Sequence, residues 1–280
     1  MIENLNLTAD RIREYLEKGK RFDSRKVGEF RDISIECGIS NKAEGSAKVK
    51  VGKTEVWAGV KMALAEPYAD SPDKGNLMVS AELTPLSNSR YEYGPPKFDS
   101  IELGRLVDRG IRESGYIDFE KLCIEKGEKV WQVFVDVYSI NDDGNLLDVA
   151  FIAALAALRH AKVPVYDKKE GKIDYDKPAK ESMPLTENVP FNFSVYTCGG
   201  GIILDPTIDE ESASEGRLVV AVIPKKPIQI CSMQKSGEYS LVEEKFGEIL
   251  DFIEDAHKTL FPKVQKLIDE AIKKAESAKK

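Results

Sequence analysis

Ile101-Glu102-Leu103-Gly104-Arg105-Leu106-Val107-Asp108-Arg109-Gly110-Ile111-Arg112-Glu113-Ser114 is the stretch on which the reading of this chain turns. It sits inside a helix predicted over 99–115, with Gly115 as the C-terminal stop. Arg105, Arg109 and Arg112 stand at i, i+4 and i+7, so their guanidinium groups project from one helix face. Such a ridge suits successive phosphates, because each guanidinium offers planar, paired donors. The same spacings also suit ordinary surface ion pairs. Glu102 precedes Arg105 by three residues and Asp108 precedes Arg112 by four. On the sequence alone both readings stand.

Outward from this helix the chain alternates between strand and helix patterns. A helix is expected from Asn6 to about Gly19, with Ile12, Tyr15 and Leu16 on one side, followed by a charged loop and a strand over 33–39. Ser46 to Met62 reads as a hairpin turning at Gly52-Lys53, with Ala47, Val49 and Val51 facing one way and Ser46, Lys48 and Lys50 the other. A strand over 130–140 carries Trp131, Val133, Val135 and Val137 on one face. Asp142-Asp143-Gly144-Asn145 then turns into an apolar helix over 147–161. Residues 165–190 are polar and proline-punctuated, which marks a boundary. Four strands follow, and a capping-box pattern at Ser240-Leu241-Val242-Glu243 opens a long last helix with Phe246, Leu250, Ile253, Leu260, Val264 and Leu267 buried. Strands precede helices twice, so the fold class is α+β with two similar halves, residues 1–187 and 188–280.

Composition narrows the function. A chain of 280 residues with 42% apolar content can bury a substantial core. No run of about 18 uncharged apolar residues is present, and the acidic, polar start is not a secretory signal. A cytoplasmic protein is expected. Cys37, Cys123, Cys198 and Cys231 are scattered and read as buried thiols. With His160 and His257 as the two imidazoles, no metal centre and no cofactor is expected. His160 reads as a helix-terminal residue near the dipole. A net charge of −7 argues against indiscriminate coating of nucleic acid, while leaving room for a local basic groove. The charged content of 32%, rich in Lys and Glu, is one that thermophile proteins favour.

Several motifs resemble the RNase PH superfamily. Arg21-Phe22-Asp23-Ser24-Arg25 resembles its R-P-D-G-R entry, and Gly45-Ser46-Ala47 through Gly52-Lys53-Thr54 resembles its G-S-a…G-x-T hairpin. Gly94-Pro95-Pro96 with the block 101–114 is similar to the non-catalytic ring subunits of archaeal exosomes. So is Val135-Asp136-Val137-Tyr138 running into Asp143-Gly144-Asn145-Leu146-Leu147-Asp148, and the match extends through Leu204-Asp205-Pro206-Thr207 over nearly the whole chain. The resemblance implies an RNase PH-like fold of two βαβ-type halves, the first like ribosomal protein S5 domain 2 and the second like the RNase PH C-terminal domain. It also implies a hexameric ring of three heterodimers with a catalytic RNase PH-like subunit, a trimeric cap of RNA-binding subunits, and single-stranded RNA as the ligand.

The same resemblance implies that this chain is silent, with no catalytic residue of its own. Phosphorolysis brings two anions together and needs positive donors, plus a carboxylate for metal or proton. Active members carry Gly-Thr-Arg at the phosphate turn, where this chain has Gly144-Asn145-Leu146. They carry an aspartate before Met-Asn-Val, where this chain has Arg217, which neither binds metal nor shuttles protons at neutral pH. Asp205, Asp209, Glu210, Glu211 and Glu215 read either as a remnant metal site or, preferably, as a solvated loop. The resemblance points Arg112 and Arg109 towards the RNA path, leaves Arg105 as a structural candidate, and adds Arg90, beside Tyr91 and Tyr93, as a weaker RNA contact. The competing functions are a phosphate-dependent 3′–5′ exoribonuclease active alone, and a scaffold without RNA contacts. In the silent readings an apolar surface is left for a partner, with Trp57 or Trp131 as candidates.

Overall fold

A computed structural model describes residues 2–175, 177–179 and 181–278. The chain opens with helix α1 (Ile2–Glu17), whose Ile12 and Leu16 are buried while Tyr15 stacks on Phe22. Strands β1 (Ile33–Cys37), β2 (Gly45–Val51), β3 (Thr54–Ala65) and β4 (Asn76–Leu83) follow, then helix α2 (Phe98–Glu113), strands β5 (Cys123–Glu125) and β6 (Lys129–Asn141), and helix α3 (Leu146–His160). The first sheet has the order β1-β2-β3-β6-β4, with β5 against β6. β4 and β6 run parallel across the α2 crossover, which is a βαβ unit.

Residues 162–182 hold four short strands, β7 (Lys162–Val163), β8 (Val165–Asp167), β9 (Lys172–Asp174) and β10 (Glu181–Ser182), paired β7–β10 and β8–β9. The second sheet is built from β11 (Phe191–Cys198), β12 (Gly201–Ile203), β13 (Gly216–Ile223) and β14 (Gln229–Gly237), in the order β12-β11-β13-β14. Helix α4 (Ile208–Ala213) carries the chain from β12 over β11 to β13, so β12 and β13 are parallel with one strand between them. Helix α5 (Glu243–Ala278) closes the chain and packs on β1, β11 and α3.

The layering follows from the apolar patterns. α3 packs against β2, β3 and β6 of one sheet and β11 of the other, while α2 packs against β4 and β14. Both helices therefore lie between the sheets. A helix in that position must be apolar on every side, and all residues of α3 except Arg159 are buried. The two helices approach closely at Gly110, where an added Cβ would come 2.4 Å from the Phe151 ring.

Some expectations change. The last helix starts at Glu243, so Ser240 does not occupy its cap, and the capping box of this chain is Thr207 with Glu210 at α4. The buried stripe of α5 is Ile249, Ile253, Ala256, Leu260, Val264 and Ile268, with Leu250 and Leu267 only half-buried. Ile253, Leu260 and Val264 are buried as expected, and packing against β1 and α3 adds Ile249, Ala256 and Ile268 in place of Phe246, Leu250 and Leu267. Trp131 is a core residue at 5% exposure, because it shares the inner face of β6 with Val133, Val135 and Val137. Trp57 is on the outer face of β3, opposite to the buried Val56, Ala58 and Val60, and is exposed. His160 is the last residue of α3, as expected, and its Nδ1 accepts a hydrogen bond from the Ser46 amide (3.3 Å).

Candidate functional site

The turn Asp142-Asp143-Gly144-Asn145 lies where three elements meet. Gly144 has φ +92°, and a Cβ there would strike the Pro206 carbonyl at 2.5 Å, so the position requires glycine. Thr54 Oγ1 (2.7 Å) and Arg31 Nη2 (2.9 Å) both donate to the Gly144 carbonyl. Asn145 is left-handed at φ +56° and serves as the N-cap of α3. Its side chain donates to Asp205 Oδ1 at 2.9 Å.

The backbone N–H of Asn145, at the mouth of a helix N-terminus, is the kind of donor that a bound phosphate uses. Here it donates to the Glu211 carboxylate at 2.7 Å. Tyr196 OH donates to the same oxygen at 2.8 Å. Glu211 is thus an internal anion seated at the donor. Burial pushes its carboxyl above the ordinary range, with the Asn145 amide and Tyr196 pulling the other way.

Beside this contact is a small pocket of about 170 Å³, lined in part by Leu146, Leu147, Leu106, Tyr196, Glu211 and Arg217. Leu146 is buried at the pocket wall, where it presents methyl groups and no charge. Arg217 lies on β13 opposite Tyr196 and donates to Glu102 of α2 at 2.6 Å. Gln234 of β14 completes the contact by donating to the other Glu102 oxygen at 3.0 Å. Burial works against the Arg217 charge, but Tyr196, Glu102 and Glu211 outweigh it and raise its pKa. The pocket is therefore lined by the Arg217–Glu102 ion pair, the Glu211 carboxylate, the Arg90 guanidinium already paired with Asp142, and five leucines. No group of three or more His, Cys, Asp or Glu residues suited to a metal occurs among the described residues.

The acidic cluster divides: Asp209 and Glu215 are exposed, as a solvated loop requires, whereas Asp205 and Glu210 are buried and Glu211 is half-buried. Asp205 is fully buried and receives Arg25 Nη1 (2.8 Å) and Arg31 Nη2 (2.7 Å). Glu210 is buried and grips Arg21, which also donates to the carbonyls of Leu204 (3.0 Å) and Asp205 (2.8 Å). The segment 21–31 is thereby clasped to the second half of the molecule. Charge density without an apolar pattern conceals this, since each partner lies more than 170 residues away in sequence. The signal that could have revealed it was the pairing of an Arg-rich entry segment with an Asp-Pro turn.

The four arginine candidates fall into two groups. Arg105 and Arg109 are exposed, and neither has an ion-pair partner among the described residues. Glu102, expected beside Arg105, instead turns inward to Arg217. Arg112 is half-buried, with Nε and Nη2 on Asp108 (3.0 and 2.7 Å) and Nη2 also on the Leu77 carbonyl (3.0 Å). Arg90 donates to Asp142 (2.6 Å) and to Tyr91 OH (2.8 Å) and lies over the Tyr91 ring, while Tyr91 is itself buried and Tyr93 is exposed.

Two sheets enclosing paired helices, with a glycine turn at the head of the central helix, form the two-domain scaffold that 3′ exoribonuclease-family chains share. The pocket beside that turn is filled by the chain's own side chains. The chain belongs to the 3′ exoribonuclease (RNase PH) family, domain 1 matching residues 29–164 and domain 2 residues 188–255. It is 44% identical over 256 residues to the exosome complex component Rrp42 of Methanocella arvoryzae, covering 91% of this chain and 95% of that one. It is 43% identical to Rrp42 of Archaeoglobus fulgidus, covering 88% and 92%. Among solved structures it superposes on a chain of the Archaeoglobus fulgidus exosome with RNA bound to the active site, with a TM-score of 0.84, 41% identity and coverage of 92% and 98%. A chain of an archaeal exosome core gives a TM-score of 0.81 at 39% identity, covering 95% of this chain and all of that one.

Proposed function

We propose that this chain is the catalytically silent RNase PH-like ring subunit of an archaeal-type exosome, which completes the site of a catalytic neighbour and helps hold single-stranded RNA. The observation that carries this reading is the occupied pocket. Glu211 sits on the amide that phosphate would need, Leu146 replaces a cation, and Arg217 with Glu102 fills the place of a metal-binding carboxylate. A phosphate entering there would meet Glu211 without a compensating free cation. In this reading three heterodimers with catalytic RNase PH-like subunits alternate in a hexameric ring, and a trimeric RNA-binding cap sits on one face. The similarity to exosome components over nearly the whole chain supports the assembly. No helix among the described residues is long and apolar enough to cross a membrane, which fits a cytoplasmic complex.

The RNA-facing element is α2. Arg105 and Arg109 bring two uncompensated charges to one helix face. Arg112 is held by Asp108 and the Leu77 carbonyl through Nε and Nη2, which leaves Nη1 for a phosphate oxygen in a fixed direction. Arg90, tied to Asp142, is the weakest of the four contacts. The test is RNA affinity of the reconstituted ring carrying Arg105→Glu and Arg109→Glu in this chain. Affinity should fall at least tenfold at matched salt, and the log–log salt slope should decrease by about 0.7 per lost contact. Unchanged affinity and slope there and in Arg112→Glu with Arg90→Glu would make the chain a scaffold without RNA contacts.

A further inference from the structure

The open face of the first sheet, opposite α3, carries features that the occupied pocket does not use. Trp57 and Tyr138 are directly opposed on β3 and β6, and both are exposed. Two residues along β3 from Trp57 is Gly59, where an added Cβ would meet no atom within 4 Å. The result is a bare gap beside an indole. The segment carrying Tyr175, itself exposed, and the loop around Lys42 form the walls of a groove of about 1130 Å³ over this gap.

The charges in the groove cancel within it. Lys61 pairs with Glu44 (2.6 Å), Lys162 with Glu276 (3.2 Å) and Lys177 with Asp174 (2.7 Å). Asp136 accepts from Ser80 Oγ at 2.7 Å. Lys42 has no ion-pair partner among the described residues, and its charge is balanced by that of Asp136. A polyanion gains affinity by displacing counterions from several free cations, and this groove offers one. Exposed Trp and Tyr on rigid strands around a side-chain-sized gap are instead the make-up of protein-binding hot spots.

We propose that this groove docks an extended, near-neutral polypeptide segment that inserts an aromatic or aliphatic side chain over Gly59, between Trp57 and Lys61. The sheet face is separate from the pocket between α2, α3 and the second sheet, so the inference stands apart from the exosome assignment.

The chain reports on the groove itself. It has two tryptophans, and Trp131 is in the core, so an emission change on binding belongs to Trp57. The experiment selects a phage-displayed random heptapeptide library on the full chain and titrates synthetic copies of the winners by tryptophan emission. The expected result is near-neutral peptides with one aromatic or aliphatic anchor that shift the emission to the blue with saturation. Gly59→Lys should weaken them at least tenfold while leaving the thermal midpoint within a few degrees, and Lys42→Glu should change them less than twofold. The proposal is overturned if no peptide prefers the native chain over Gly59→Lys. It is equally overturned if single-stranded oligoadenylate gives the saturable shift, Lys42→Glu abolishes that shift, and the peptides do nothing.

Discussion

In the proposed reading, Glu211, Leu146 and Arg217 each remove one requirement of phosphorolysis, and they do so by different physics. Glu211 places a carboxylate on the Asn145 amide, Leu146 withholds a cation, and Arg217 neutralises Glu102 across the pocket. Restoring one of them is therefore not enough. Arg217→Asp should leave the isolated chain inactive in nucleoside diphosphate release. It should also lower stability by about 3 kcal/mol in denaturant unfolding, because Glu102 loses its partner in a largely buried place. Asp148 gives a second prediction at this scale. It accepts from Asn192 Nδ2 (2.7 Å) and from Ser194 N (3.2 Å) and Oγ (2.8 Å), and burial pushes its carboxyl up to about 6. An unfolded aspartate titrates near about 3.9. The protonated form is thus favoured in the folded state. That contribution is full below about pH 4 and is lost as the pH rises through about 6, on the order of 2–3 kcal/mol in all. Asp148→Asn should reduce the fall in unfolding free energy across this window by about one proton's slope, and an unchanged slope would assign the pH dependence elsewhere.

At the scale of elements, the contact between α2 and α3 holds the ridge and the pocket in register. Gly110 lets α2 approach Phe151, and Gly110→Ala should cost about 1–3 kcal/mol by overpacking, with partial recovery in Gly110→Ala/Phe151→Leu. Additive losses in the double variant would show that the ring is not the obstacle. Most of these elements were legible in the sequence because their patterns are local. The hairpin over β2 and β3, the central strand β6 and the mostly apolar α3 follow from periodicity, and their ends moved by one to three residues. The burial of Glu210 and Asp205 was not legible, since acidic residues read as solvated unless a distant partner is known. The stripe on α5 was only half legible, through Ile253, Leu260 and Val264, for a related reason. Several of its registers are amphipathic, and the neighbouring β1 and α3 select one. In the candidate site, the lost cation and the Arg217 substitution were readable as departures from a motif. The Glu211–Asn145 contact was not, because it joins a side chain to a backbone amide 66 residues away.

For the whole molecule, the decisive links are those that tie the two sheets together around the helices. The clasp of Arg21, Arg25 and Arg31 on Glu210 and Asp205 joins the entry segment to the second half, and Asn145 extends it to the head of α3. Asp205→Ala should cost about 3–5 kcal/mol, because it leaves two largely buried guanidinium groups short of a partner. Thermal unfolding that stayed at the native midpoint would contradict this role. The measurement closest to the central claim is decay of single-stranded RNA, with and without phosphate, by this chain alone and by its complex with a catalytic RNase PH-like subunit. The occupied pocket predicts no activity from the chain alone and phosphate-dependent release of nucleoside diphosphates from the complex. Phosphorolysis by the isolated chain would contradict it and would require a phosphate site other than the turn at Gly144.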